Sequence, residues 1–200
     1  MPQKISQMTK HPLAQYTLLI FDLDGTLRHC KAHGGPCHNG PGEWALYPDV
    51  PGILAQYVWQ FLALGVATNQ AAIGLGLLAE SVVWEEMHTT VREALAMVRK
   101  GLPRQAVFEL CPHTPDEGCG CRKPASGMLV RSMQRAEVTQ EATLFVGDSL
   151  EDAQAAASAG CAFVPAWEFF GRAKPVWAPW TQAERDAAYR EIATTGGRLG

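Results

Sequence analysis

The chain has 200 residues, a net charge of −3, 47% apolar residues and 18% charged residues, with a sequence pI of about 6.1. This balance is typical of a globular protein, and the small negative charge argues against general attraction to a nucleic-acid backbone. No stretch approaches the roughly 20 apolar residues that span a bilayer, and residues 1–16 lack an apolar run of signal-peptide length. We therefore expect a cytoplasmic protein without a membrane segment.

Short apolar runs alternate with longer segments of helical period, which predicts a parallel sheet with helices on its faces. The predicted strands are Thr17–Phe21, Val66–Thr68, Ala106–Leu110, Ala142–Val146 and Cys161–Val164. The predicted helices are Val50–Leu64, which Gly65 would end, Glu85–Lys100, Met128–Ala136 and Leu150–Ala159. The expected fold class is therefore α/β, a Rossmann-like three-layer sandwich around a central parallel sheet.

Two segments fall outside this alternation. Residues 28–48 are rich in glycine, proline and histidine, which predicts a long loop inserted into a single domain that spans residues 1–200. Residues 165–200 form an aromatic-rich extension with a predicted helix at Thr181–Ile192, and we expect its rings to pack against the core or a partner subunit rather than stack on bases. Because histidines in a glycine-rich loop are usually solvated, we expect no second metal site from His29, Cys30, His33, Cys37 and His38.

Polar residues follow three of the predicted strands. Asp22 and Asp24 come after the first strand, Thr68 ends the second, and Asp148 follows the fourth. In open parallel sheets the carboxyl ends of the strands meet at the ligand-binding edge, so these side chains should lie together. Several carboxylates in one crevice need a cation, and an oxygen-rich site suits magnesium. Each motif alone would also fit an ordinary turn or helix cap.

Taken in order, these residues match four motifs, and the chain resembles the haloacid dehalogenase (HAD) superfamily of phosphohydrolases. The segment Asp22-Leu-Asp-Gly-Thr matches the first motif, Thr68 the second, Lys123 the third, and Asp148 with Asp152 the fourth. The resemblance covers residues from about 17 to 164, and no further domain-sized segment is available for a large cap. Asp152, four residues after Asp148, would share its helical face and orient Lys123 or a metal-bound water.

The resemblance implies a catalytic role for each motif. Asp22 would be the nucleophile and become an aspartyl-phosphate, while Asp24 would act as general acid and base. Thr68 and Lys123 would hold the phosphoryl oxygens. Magnesium would be bound by the side chains of Asp22 and Asp148 and the backbone carbonyl of Asp24.

A cluster of metal-ligating residues lies between the second and third motifs: Cys111, His113, Cys119 and Cys121. Three sulfurs and one imidazole suit a structural tetrahedral zinc ion, and the alternative is a set of reduced thiols. Because the cluster leads directly to Lys123, a bound ion would anchor the backbone that presents this lysine. Its Cys-x-His…Cys-x-Cys-Arg-Lys-Pro pattern resembles the zinc-loop branch of the superfamily, which contains heptose bisphosphate phosphatases and histidinol phosphatases.

The same resemblance places Asn69 near the transferred phosphate and Arg122 in contact with the substrate. The chain also departs from the heptose-type pattern, with Leu23 in place of an arginine and Ala71-Ala72 in place of Ser-Gly. The resemblance therefore leaves the substrate open even though it predicts the chemistry.

The leading functional hypothesis is a phosphatase for a small metabolite, such as heptose bisphosphate, another sugar phosphate or histidinol phosphate, acting as a monomer or small homo-oligomer. A nucleic-acid 3′-phosphatase is an alternative that the weak net charge and the missing G-x-x-x-x-G-K-[ST] kinase loop disfavour. A third hypothesis is a catalytically inactive, zinc-stabilised binding module. The presence of both Asp22 and Asp24 argues against it.

Overall fold

The computed structural model describes residues 15–31 and 40–174. Its strands are, in chain order, β1 Leu18–Phe21, β2 Arg28–Cys30, β3 Trp44–Leu46, β4 Ala63–Asn69, β5 Gln105–Cys111, β6 Thr143–Gly147 and β7 Ala162–Pro165. Its helices are α1 Val50–Leu54, α2 Ala71–Gly74, α3 Glu80–Ala94, α4 Gly127–Ala136, α5 Leu150–Ala159 and α6 Ala166–Phe169, with 3₁₀ helices at Trp59–Phe61, Pro115–Glu117 and Gln140–Ala142. Within these ranges no helix has both the length and the apolar character needed to cross a bilayer.

A sheet of five parallel strands, in the order β5-β4-β1-β6-β7, forms the centre of the molecule. All four residues of β1 are buried, as expected for a central strand that helices cover on both faces. Leu19 and Phe21 pack with α3 on one face, and Leu18 and Ile20 pack with α4 and α5 on the other. The predicted three-layer α/β sandwich is therefore confirmed, and the described part of the chain contains no large cap domain.

Most predicted elements agree with the structure to within one residue at each end, but the helix predicted at Val50–Leu64 is wrong. α1 ends at Leu54, the 3₁₀ helix at Trp59–Phe61 follows, and β4 begins at Ala63. The indole Nε1 of Trp59 donates to the carbonyl oxygen of Leu54 at 2.8 Å, so this buried side chain satisfies a carbonyl at the end of α1. Apolar spacing alone cannot distinguish such a composite segment from a continuous helix.

Gly65 lies inside β4 and does not end a helix, so β4 is longer than the predicted strand at Val66–Thr68. It pairs with Ile20 of β1, and a Cβ at this position would lie 2.9 Å from Cγ1 of Ile20. The glycine therefore permits a close approach at the centre of the sheet. The helix predicted at residues 85–100 is placed too far along the chain. In the structure, α3 begins at Glu80 and ends at Ala94.

The insertion at residues 28–48 is not simply a loop, because its ends form an antiparallel hairpin. Arg28 of β2 pairs with Leu46 of β3, and Cys30 pairs with Trp44. Each strand has only three residues, too few to show alternation in the sequence. The ring of His29 lies 4.8 Å from the ring of Tyr47 and Cys30 is buried, whereas the predicted candidates His33, Cys37 and His38 fall outside the described residues.

Aromatic residues after β7 pack into the core beside β1. The ring centroid of Phe169 lies 5.5 Å from that of Phe21 and 5.8 Å from that of Tyr57, and Trp167 is also buried. Trp177, Trp180 and the predicted helix at Thr181–Ile192 lie outside the described residues. The organisation of residues 1–200 as a single domain therefore stays a prediction.

We expect Gly65→Ala to lower the free energy of unfolding by about 1–3 kcal/mol, because the added methyl group would overpack the contact with Ile20. Urea denaturation monitored by circular dichroism measures this change. Gly52→Ala is the matched control, since no atom lies within 4 Å of its added Cβ and alanine favours the helix by about 0.5–1 kcal/mol. Equal effects of the two substitutions would contradict a close strand approach at Gly65.

Candidate active site

A cleft of about 1160 Å³ lies at the carboxyl edge of the sheet. It is lined by predicted site residues from every motif, namely Asp22, Asp24, Thr68, Asn69, Arg122, Lys123, Asp148 and Asp152. The parallel strands β1, β4 and β6 end at this edge, and the backbone N–H of Asp22 still donates to the carbonyl oxygen of Val146 in β6 at 2.8 Å. Sheet register therefore brings residues together that are more than a hundred positions apart in the chain.

The ammonium group of Lys123 lies at the centre of this cluster. Its Nζ is 2.5 Å from Oδ1 of Asp22 and 2.6 Å from Oδ1 of Asp152, and it donates to the carbonyl oxygen of Ala67 at 2.9 Å. Only 3% of the lysine side chain is exposed, so these contacts take place away from water. Burial alone would lower the pKa of Lys123, but the carboxylates of Asp152 and Asp22 outweigh burial and raise the pKa.

Asn69 holds the backbone of Lys123 in place. Its side-chain Nδ2 donates to the carbonyl oxygen of Lys123, and its Oδ1 accepts from the N–H of the same residue, both at 3.0 Å. Two hydrogen bonds between one side-chain amide and one backbone unit fix both position and orientation. Asn69 thus links the end of β4 to the loop that carries the lysine.

Asp152 connects Lys123 to the end of β6. Its Oδ2 accepts from the N–H groups of Asp148 and Ser149 at 3.1 and 3.0 Å and from the hydroxyl of Ser149 at 2.7 Å. Ser149 is the N-cap of α5, and Asp152 completes a capping box. Asp148 therefore precedes the helix, and the prediction that it shares a helical face with Asp152 is wrong. A Cβ on Gly147 would lie 2.6 Å from the side chain of Asp152, which explains the glycine before Asp148.

Three carboxylates lie close together in this cluster, and two of them contact the ammonium group. Oxygen atoms of Asp22, Asp148 and Asp152 lie within 4.8 Å of one another, and all three residues are buried. Burial raises the pKa of Asp22 to about 7, although Lys123 opposes the shift. Burial, together with the charges of Asp22 and Asp152, also raises the pKa of Asp148. This excess of buried negative charge and oxygen ligands fits a hard divalent cation such as magnesium.

Asp24 faces the same cleft but makes different contacts. Its Oδ1 accepts from Nε of Arg28 at 2.6 Å, and its Oδ2 accepts from Nε2 of Gln70 at 2.6 Å. Gln70 Nε2 also donates to the hydroxyl of Thr68 at 2.9 Å, so Gln70 joins two predicted site residues. The sequence reasoning missed the contacts of Arg28 and Gln70. The position of Gln70 next to the second motif could have indicated its role. For Arg28, the only indication in the sequence is a charged residue close to the first motif.

The Cys/His cluster forms as predicted beside the cleft. The sulfurs of Cys111, Cys119 and Cys121 lie 3.2–3.6 Å apart, and Nδ1 of His113 lies 3.3 Å from the Cys121 sulfur and 3.5 Å from the Cys111 sulfur. Tetrahedral zinc with Zn–S bonds of about 2.3 Å would separate its sulfur ligands by about 3.8 Å, only slightly more than here. The four residues therefore fit a closed zinc site.

The backbone and side chain of Arg122 both contact this cluster. Its N–H donates to the sulfur of Cys119 at 3.4 Å, and its guanidinium Nη1 donates to the carbonyl oxygen of His113 at 3.1 Å. Burial would raise the pKa of the Cys119 thiol, but hydrogen bonds from Arg122 and Cys121 outweigh burial and lower the pKa to about 6. Burial raises the pKa of the other two thiols, Cys111 to about 12 and Cys121 in the same direction, so a bound cation would have to ionise them.

Comparisons with known proteins agree with this geometry. A family model described as HAD-hydrolase-like matches residues 120–165. A D-glycero-beta-D-manno-heptose-1,7-bisphosphate 7-phosphatase from Bordetella bronchiseptica is 36% identical over 145 residues, which are 72% of this chain and 77% of that protein. A probable D-glycero-D-manno-heptose-1,7-bisphosphate 7-phosphatase from Thermoplasma volcanium is 31% identical over 66% of this chain and 86% of its own.

A solved structure has a similar fold. The D,D-heptose 1,7-bisphosphate phosphatase from B. bronchiseptica, complexed with magnesium and phosphate, superimposes with a TM-score of 0.61 and 28% identity. The match covers 90% of this chain and 99% of that structure. The sequence identity, the sheet topology and the ordered motifs at the strand ends lead to one conclusion. The chain belongs to the HAD-like hydrolases and is a phosphatase of that family.

Proposed function

We propose that the chain is a magnesium-dependent phosphomonoester hydrolase that works through a phosphorylated Asp22 and acts on a small sugar phosphate, with heptose bisphosphate as the first candidate. The observation that carries the proposal is the buried cluster in which Lys123 lies between Asp22 and Asp152, beside Asp148. Such a cluster offers a carboxylate nucleophile together with positive charge for the phosphoryl group.

In the first step, a carboxylate oxygen of Asp22 attacks phosphorus and the bond to the leaving-group oxygen breaks. Asp24 donates its proton to that oxygen, so the substrate leaves as a neutral alcohol and an acyl phosphate remains on Asp22. Lys123, whose ammonium already lies 2.5 Å from Asp22, balances charge on the phosphoryl oxygens. The Thr68 hydroxyl, oriented by Gln70, donates to the same group.

In the second step, water attacks phosphorus and the bond to the Asp22 oxygen breaks. Asp24, now a carboxylate, accepts the proton of that water, which returns the acid to its starting state. The products are inorganic phosphate and the free carboxylate of Asp22. One residue thus serves as acid and then as base, which requires that its carboxyl group stay at the same edge of the cleft throughout.

Magnesium would be held by the side chains of Asp22 and Asp148 and the backbone carbonyl of Asp24. When bound, it supplies positive charge that lets the clustered carboxylates ionise and offsets charge on the phosphoryl group. The magnesium and phosphate bound in the related heptose bisphosphatase structure support the proposed use of this metal.

Heptose bisphosphate is the first candidate because the relatives described above are heptose bisphosphate phosphatases. Leu23 is fully buried in the core, so its replacement of an arginine does not alter the cleft surface directly. Ala71 and Ala72 do line the cleft, as does Arg122, which could contact a polar group of the substrate. A histidinol phosphatase differs only in the organic group that this surface must accept.

We further propose that Cys111, His113, Cys119 and Cys121 hold one structural zinc ion. The short distances among the four ligand atoms support it, and so does the position of the cluster directly before Lys123. The zinc would not take part in the reaction. It would hold the loop from which Arg122 and Lys123 reach the cleft.

We expect wild-type protein with magnesium to hydrolyse heptose 1,7-bisphosphate with a higher kcat/KM than histidinol phosphate or a 3′-phosphorylated oligonucleotide. A colorimetric phosphate-release assay measures all three. Asp22→Asn should lower turnover of every ester roughly a thousandfold or more, because the amide is not a nucleophile.

Circular dichroism of Asp22→Asn provides the control, since asparagine has nearly the same shape as aspartate. Turnover by Asp22→Asn at the wild-type rate would refute the nucleophile. Wild-type inactivity on every ester would favour a binding module, and a preference for the oligonucleotide would favour the 3′-phosphatase.

We expect the magnesium-free protein to lose stability as pH rises. The pKa of Asp22 is raised from 3.8 to about 7, so the folded protein retains a proton that the unfolded chain releases. The resulting stabilisation is present below about pH 4, disappears as pH rises through about 7, and is on the order of a few kcal/mol. Urea denaturation without magnesium, with the zinc site loaded, at pH 5 and pH 8 measures it.

Asp22→Asn should reduce this dependence, because asparagine does not titrate, and the raised pKa of the buried Asp148 should account for what remains. Magnesium should restore the stability of the wild type at pH 8, since it binds the folded carboxylates. Stability that rises with pH in the magnesium-free wild type would contradict the buried carboxylate cluster.

Native mass spectrometry should show one zinc ion per chain. Removing it should lower the melting temperature, because the binding free energy of a structural zinc contributes to folding. Cys119→Ser should weaken zinc retention, whereas Cys161→Ser, which changes a buried thiol outside the cluster, should not. A second tightly bound zinc, or full stability and rate after zinc removal, would contradict this proposal.

A further inference from the structure

Arg28 is a buried cation that no motif accounts for. It is the first residue of β2, and none of its side-chain surface is exposed. A buried guanidinium is costly unless carboxylates or other acceptors pair with its donors. Its main partner is Asp24, the residue proposed above as general acid and base.

The contact between Arg28 and Asp24 involves both carboxylate oxygens. Nε of Arg28 donates to Oδ1 at 2.6 Å, and Nη2 donates to Oδ2 at 3.3 Å. A forked contact of this kind fixes the plane of the carboxyl group as well as its position. The side chain of Asp24 remains 16% exposed, on the side that lines the cleft.

The backbone between the two residues holds this arrangement together. The N–H of Gly25 donates to the carbonyl oxygen of Arg28 at 2.7 Å, and the N–H of Arg28 donates to the carbonyl oxygen of Leu23 at 3.1 Å. Gly25 has a φ of 92°, which a residue with a side chain rarely adopts. The turn after the first motif therefore folds Arg28 back onto Asp24.

Contacts on α3 hold the far end of the guanidinium. Nη1 of Arg28 lies 3.5 Å from both Oε2 of Glu86 and Oγ1 of Thr90, and the Arg28 guanidinium carbon lies 5.2 Å from the centre of the Trp44 ring. Glu86 also accepts from the N–H of Gly42 at 2.6 Å, which ties the β2–β3 hairpin to the same helix. The arginine is thus fixed at both ends.

We propose that Arg28 is a positioning residue for proton transfer by Asp24, and that Glu86 holds Arg28 in place from α3. The inference rests on the proposed role of Asp24. Arg28 contacts no reacting atom. It keeps the carboxyl group of Asp24 at the edge of the cleft while that group gives a proton to the leaving oxygen and later takes one from water.

The dependence of rate on the leaving group tests this inference. An alkyl phosphate releases a strongly basic alkoxide and needs a general acid, whereas p-nitrophenyl phosphate releases a weak base and does not. The parameter kcat/KM reports the step in which the leaving group departs. For the alkyl phosphate that wild type hydrolyses fastest, we expect Arg28→Met to lower kcat/KM roughly 10–100-fold. For p-nitrophenyl phosphate, we expect kcat/KM to stay within about threefold of the wild-type value.

Three further variants separate positioning from general structure. Asp24→Asn should show the same leaving-group pattern with a larger loss. Arg28→Lys should recover only part of the alkyl rate, because an ammonium group cannot form the fork. Arg131→Met is the control, because it removes an arginine that pairs with the buried Glu109 at 2.7 Å. It should leave the ratio of kcat/KM for the alkyl phosphate to kcat/KM for p-nitrophenyl phosphate at the wild-type value.

Equal losses on both esters for Arg28→Met, or no loss on either, would overturn the inference. If Arg28→Met does not fold, Glu86→Gln replaces it. We expect Glu86→Gln to lower kcat/KM for the alkyl phosphate relative to p-nitrophenyl phosphate by a smaller factor. An unchanged ratio of these two kcat/KM values would count against the inference. A normal ratio in Asp24→Asn would overturn the proposed role of Asp24 itself. A shifted ratio in Asp24→Asn together with an unchanged ratio in Arg28→Met would overturn the role of Arg28 alone.

Discussion

The ion pairs of Lys123 are the contacts on which the rest of the site depends. One buried ammonium group lies between Asp22 and Asp152, with Asp148 in the same cluster. Taking these charges out of water is costly, and removing the lysine would leave a cluster of three buried carboxylates without the ammonium group that pairs with two of them. The arrangement is therefore stable only when β1, β6 and the loop before α4 all bring their charged side chains to the same place.

Two features of the structure position the backbone of Lys123. Asn69, at the end of β4, makes two hydrogen bonds to its backbone, and Cys121 lies two positions earlier in the Cys/His cluster. The segment between β5 and α4 contains little regular structure of its own. A metal ion there would substitute for the packing that a longer helix or strand would otherwise provide. This is a physical reason for a structural ion so close to the reacting groups.

The sequence predicts which residues the cleft brings together, because each motif is recognisable from its own short segment. Buried strands are recognisable as apolar runs, and each motif follows such a run directly, so predicting the strands also places the motifs. The composite segment from Val50 to Leu64 could not be resolved, because a short helix, a buried tryptophan and a strand start present the same apolar spacing as one helix. Gln70 and Arg28 gain their significance from contacts with Asp24, and in a single sequence nothing marks those contacts.

The hairpin β2–β3 changes how the insertion should be understood. From composition it is a long loop rich in glycine, proline and histidine, with no predicted part in the reaction. In the structure its first residue, Arg28, touches Asp24, and its turn contacts Glu86 of α3 through Gly42. If Asp24 transfers protons as proposed, a substitution at the base of the hairpin would alter that transfer, whereas Ala71 and Ala72 line the cleft without belonging to the hairpin.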